Sequence, residues 1–171
     1  MNDLKIKIEN LISLYKQKKY QEVEAISKKL LKENTKLGIL YNILGLAQVD
    51  QHKLDDARKA FEIASLLQPK AAEPYYLLGV LHQRWGDDET ALQSYISACA
   101  NDPSHAQFFL ARAETLTALD RDDEAIELLL GKHQFQHQAS IPALLGQIYL
   151  RTGNPTLAAQ YFADSRALGN D

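Results

Sequence analysis

The chain has 171 residues, 46% of them hydrophobic, with 19 basic and 22 acidic side chains and a net charge of −3. That is enough apolar material for one continuous core, and the acidic balance argues against a general nucleic-acid binder, which needs clustered Lys and Arg to neutralise phosphate. The single cysteine, Cys99, excludes an internal disulfide framework and fits a reducing compartment.

Residues 1–37 hold nine Lys and no Arg against five acids, whereas residues 38–171 hold four Lys and six Arg against seventeen. Ordinary surface drift, a basic docking end or a chain joined from two sources near residue 38 would each account for this. Met1 to Leu14 alternates charged and apolar residues too often for a signal-peptide core. No apolar run reaches the ~18 residues of a membrane span. A cytoplasmic location without a membrane partner is expected.

Small and aromatic anchors recur at a step of 34: Tyr41, Tyr75 and Phe109; Gly45 and Gly79; Ala57, Ala91 and Ala125; Pro69 and Pro103. The step shortens once to 33, carrying Ala125 to Ala158 and Leu129 to Phe162. Such a period marks a helix–turn–helix unit that stacks on copies of itself. The expected domain is 1–171, in units of about 4–37, 38–71, 72–105, 106–138 and 139–171. Each holds a helix A and a helix B.

Unit one is irregular, with Leu11 in the glycine slot and Val23 in the alanine slot. In units two and three Gly45 and Gly79 lie inside helix A, at ~1 kcal/mol each in helix propensity, so that helix B can approach closely. Ala57 and Ala91 are expected as the small partners there, with Phe61 and Tyr95 filling the space beside them. Pro69 and Pro103 close the B helices, because proline lacks the N–H and disfavours a helical residue before it. Unit four has Arg112 and Ala113 where Leu and Gly stand elsewhere, and its B helix is expected to break at Gly131. Unit five restores Gly146, Ala158 and Phe162 but carries Pro142 near its start. At the A–B turns, Asp87, Asp88, Asp122, Asp123 and Asn154 are expected to cap the B helices or oppose the helix dipole.

Tyr41, Leu44, Gly45, Ala57, Phe61, Ala64 and Pro69, then Tyr75, Leu78, Gly79, Ala91, Tyr95, Ala98 and Pro103, resemble the tetratricopeptide-repeat pattern. The resemblance implies an all-α, right-handed α-solenoid of about five units, with a concave face lined by the A helices. It also implies that the groove-facing positions are Ile8 and Ile12; Ile39, Asn42, Leu46 and Val49; Tyr76, Val80, Gln83 and Arg84; and Leu110 and Glu114. Lys5, Asp50 and Glu73 fall at related positions. Family members that hold a chaperone tail use a Lys, Asn and Arg clamp for a terminal carboxylate. Ile8 and Ile12 occupy its first two slots here, so that clamp is absent as a set. The mostly apolar strip suits a peptide or amphipathic helix of another protein. Alternatively, some of these side chains simply close the superhelix.

Residues 75–130 are also similar to the central repeats of bacterial type III secretion chaperones for translocators, through Leu78–Gly79, Ala91–Leu92–Gln93–Ser94–Tyr95 and Phe108–Phe109–Leu110–Ala111. That implies a hydrophobic secreted client as an alternative partner, although those proteins place a dimerising helix before about three repeats. A docking domain cut from a longer protein is the remaining alternative. Three residues follow the last helix, which carries Leu157, Tyr161 and Phe162; its outer face is expected to be polar enough to stand open, or to be covered by a second copy or by chain continuing beyond Asp171.

No cofactor, metal or catalytic site is expected. His133 and His137 have a ligand-like spacing but lie in a polar connector, read as a solvated linker, without Cys or carboxylate. Cys99 is expected to be buried and inert, and Trp85 to pack at its turn.

Overall fold

A computed structural model describes residues 2–169, apart from the side chains of Asn2 and His133. The described residues form ten α-helices in five antiparallel hairpins and no strand. These are α1 (Asn2–Lys16) with α2 (Tyr20–Glu33), α3 (Gly38–Val49) with α4 (Leu54–Leu67), and α5 (Glu73–Arg84) with α6 (Asp88–Asn101). Then come α7 (Ala106–Ala118) with α8 (Asp122–Leu130), and α9 (Ser140–Arg151) with α10 (Pro155–Leu168). Each hairpin packs on the next through α2 on α3, α4 on α5, α6 on α7 and α8 on α9. The result is an α-solenoid.

The hairpin turns are copies of one another. Lys18, His52, Gly86, Asp120 and Gly153 all take a left-handed backbone, with φ between 57° and 80°. After each, one amide reaches back five residues: Lys19 to Leu14, Lys53 to Gln48, Asp87 to His82, Arg121 to Leu116 and Asn154 to Tyr149. This is the helix-ending bond pair that a left-handed residue permits. Only two of the five positions are glycine, so the repeat of the turn is plainer in the backbone than in the residue types.

Inside the hairpins, the glycines make room for rings. A Cβ on Gly45 would stand 2.4 Å from the Phe61 ring, one on Gly79 2.5 Å from Tyr95, and one on Gly146 2.7 Å from Phe162. The close partner is therefore the aromatic residue four positions after the expected alanine, while Ala57, Ala91 and Ala158 are buried beside it. The irregular units exchange volume across the same pair. Unit four pairs Ala113 with Leu129, and unit one pairs Leu11 with Ser27; all four are 0% exposed.

Two local expectations need correction. The connector after α8 is not a solvated linker: it turns through a short 3₁₀ segment and buries Phe135, whose ring lies 5.5 Å from Phe109. Gln134 in the same segment donates to the Pro103 carbonyl. Capping holds at α6 and α10, where Asp87 accepts from the Thr90 amide and Asn154 from the Leu157 amide. At α8 no side chain caps; Asp122 instead accepts from Arg151, and Glu124 pairs with Arg121 at 2.7 Å.

Candidate functional site

The A helices α1, α3, α5, α7 and α9 line one side of the stack, and their spacing is uneven. α1 packs on α3 and α7 on α9 more closely than α5 packs on either α3 or α7. A cleft of about 490 Å³ opens between α3 and α5, lined by Ile39, Asn42 and Leu46 of α3, Glu73, Tyr76 and Leu77 of α5, and Gln68 and Ala71 of the loop before α5. Further along, a smaller hollow of about 120 Å³ is lined by Leu46, Val49, Leu77, Val80 and Arg84 together with Tyr15 and Asp50. Leu46 and Leu77 belong to both, so the two hollows form one groove.

Of the residues placed on this face from sequence, Ile39, Asn42, Leu46, Val49, Tyr76, Val80 and Arg84 are brought together here. Ile39 is 40% exposed, a large apolar side chain left in water at the mouth of the cleft. Asn42 is half-buried, and its Oδ1 has no hydrogen-bond partner among the described residues. An acceptor shut away from water without a donor costs about 1–3 kcal/mol. Tyr76 packs its ring on Tyr95 and Phe108, at 5.8 and 5.0 Å, while its hydroxyl accepts from Gln107. It therefore forms the floor of the cleft as well as its wall.

The other five stand apart. Ile8 packs half-buried in the core of the first two hairpins, and Ile12, 41% exposed, lies on the same helix outside the cleft. Leu110 is half-buried against the core of the later hairpins. Glu114 is open to solvent, yet the protein around it withdraws enough water to hold its carboxyl above the ordinary value. Gln83 is committed internally: its Oε1 accepts from the Tyr95 hydroxyl at 2.6 Å and its Nε2 donates to Thr115 at 3.0 Å. It braces α5 against α6 and α7 and has little left for a ligand.

Sequence reading missed Leu77, Gln68, Ala71 and Tyr15. Leu77 was findable, because it lies four residues after Glu73 and three before Val80, on the same helical face. Gln68 and Ala71 reach the cleft only through the path of the loop, and no residue pattern announces that. Tyr15 donates to Asp50, and its own pKa is pushed up by burial and by that carboxylate.

The remaining titratable groups have structural work. Cys99 is buried, and desolvation raises its thiol to about 11 despite the nearby Arg112 and Lys132. Trp85 stays 41% exposed with its edge toward His82. Among the described residues no group of three His, Cys, Asp or Glu side chains is placed to hold a metal ion. The His133 side chain lies outside the described ones. No described helix is long and apolar enough to cross a membrane.

A stack of helical hairpins with an open groove along its A helices defines a class of repeat scaffold. Residues 44–104 match the sequence profile described as Tetratricopeptide repeat. The chain is 24% identical over 144 residues to anaphase-promoting complex subunit 3 of Schizosaccharomyces pombe, covering 84% of this chain but 22% of that protein. It thus spans about a fifth of that relative's length. Among solved structures, a crystal structure of MamA superposes with a TM-score of 0.82 at 19% identity, covering 92% of this chain and 93% of that one. YrrB, described as a TPR protein with an unusual peptide-binding site, superposes with a TM-score of 0.76 at 17% identity, covering 96% and 86%. Residues 44–104 thus carry the tetratricopeptide repeat, in a chain whose described fold superposes on that of a known TPR protein.

Proposed function

We propose that this protein is an interaction scaffold that holds an apolar segment of another protein in the groove between α3 and α5. The observation that carries the reading is the cleft itself, with Ile39 exposed at its mouth and Leu46 and Leu77 within it. The side chains of a bound segment would cover the apolar walls. The peptide-binding site named for YrrB supports the same use of this fold.

A photo-crosslinking residue placed at Ile39 tests the reading against the same residue at Leu66, which is 80% exposed on α4. Capture of a polypeptide at 39 but not at 66, abolished by Leu46→Asp, is the expected result. Equal capture at both positions removes the groove from consideration.

The match to a segment of a large complex subunit favours a second reading, in which the segment held belongs to another subunit of a stable assembly. Recovery of a stoichiometric complex on size exclusion would favour that reading. Recovery of a client in an unfolded state would favour the chaperone alternative.

A further inference from the structure

The groove carries charge as well as apolar surface, and the charge is unevenly placed. Glu73 lines the cleft beside Ile39, Leu46 and Tyr76. Glu114 projects from α7, close enough for its charge to act on the Tyr76 and Tyr95 hydroxyls. Neither acid has a cation within ion-pair distance among the described residues, although nine pairs of Lys or Arg with Asp or Glu form elsewhere. The cations at related positions are Lys5 on α1, held toward Glu9, and Arg84 at the far end beside Asp50 and Tyr15. The hairpins before α5 therefore offer mainly apolar wall, whereas the stretch from Glu73 toward Glu114 offers unpaired carboxylates.

We propose that the segment held in this groove is amphipathic and bears basic side chains, one placed for Glu73 in the cleft and another, beyond the cleft, for Glu114 on α7, its apolar side chains lying toward α3. This rests on the groove reading above and specifies its partner. An unpaired carboxylate beside an apolar cleft favours a cation in the occupant and repels an acidic one, so charge selects among otherwise similar apolar segments. The raised pKa of Glu114 agrees, because a carboxylate short of water gains more from a cation than one fully hydrated.

An immobilised peptide library tests this, with leucine fixed at helical spacing and the flanking positions varied among Lys, Arg, norleucine and Glu. The full chain is expected to select Lys or Arg at a flanking position over norleucine by about fivefold, the effect of roughly 1 kcal/mol. Glu73→Gln with Glu114→Gln should abolish that preference while leaving binding sensitive to Ile39→Asp. Glu73→Lys with Glu114→Lys should invert it toward Glu. Both acids are exposed, so these variants keep their helicity. Binding that depends on Ile39 but treats Lys and norleucine alike, or a Lys preference that survives the double Gln variant, overturns this inference alone. Binding indifferent to Ile39→Asp overturns the groove reading and this inference with it.

Discussion

His52 bends the backbone into the left-handed region at φ 60°, where Gly86 and Gly153 do the same work in other hairpins. A residue with a Cβ is held there at a cost of about 1 kcal/mol, and His52 is exposed, so no packing offsets it. His52→Gly should therefore raise stability by about 0.5–1 kcal/mol, read as a higher urea midpoint with an unchanged slope. Glu24 shows the opposite economy. It is 7% exposed; burial alone would raise its pKa, but hydrogen bonds from Lys28, Lys53 and Gln51 pull it down to about 2. A carboxyl whose folded pKa lies below its unfolded value of about 4.3 stabilises above that value and loses the contribution as pH falls toward 2. Glu24→Gln should cost roughly 1–3 kcal/mol at neutral pH and flatten the acid limb of the stability profile. An acid limb identical to wild type would show that Glu24 does not carry it.

Each hairpin is held by one exchange of volume across its two helices. Glycine faces a ring in three units, and at the equivalent positions unit four has buried Ala113 and Leu129 and unit one buried Leu11 and Ser27. The rule is conservation of space at the crossing, not conservation of a residue. Gly79→Ala should therefore cost roughly 2 kcal/mol, because the Tyr95 ring is fully buried, tied to Gln83, and unable to swing aside. Combining it with Tyr95→Leu reproduces the unit-four pair, and the double variant should be more stable than Tyr95→Leu alone, as measured by thermal unfolding. If the two effects simply add as independent losses, the crossing is not the controlling contact.

Across the whole molecule, the hairpin boundaries were legible because glycine, alanine, proline and aromatic spacing repeats at one step. That spacing reports how helix A meets helix B within a unit. It says little about how one A helix meets the next, so the hollow lined by α3 and α5 could not be read from it. Ile39, Leu46 and Tyr76 line one hollow, whereas the Gln83 amide, which its position alone would leave free, is bonded to Tyr95 and Thr115. Phe135 was hidden for a similar reason: a lone aromatic among Gln, His and Lys has no period to mark it. Since the main contacts between hairpins run between neighbours, stability should vary along the array, with the end hairpins opening more readily than the middle. Hydrogen exchange should find the amides of α6 protected longer than those of α10, and uniform protection would indicate a single cooperative block.

The five matching left-handed turns make the array's length a modular quantity. Excising residues 72–105 would bring Ala71 up against Ala106 at an equivalent junction, and inserting a further copy would extend the stack by one storey. Reach along a partner could thus be tuned by whole hairpins, independently of what each hairpin grips.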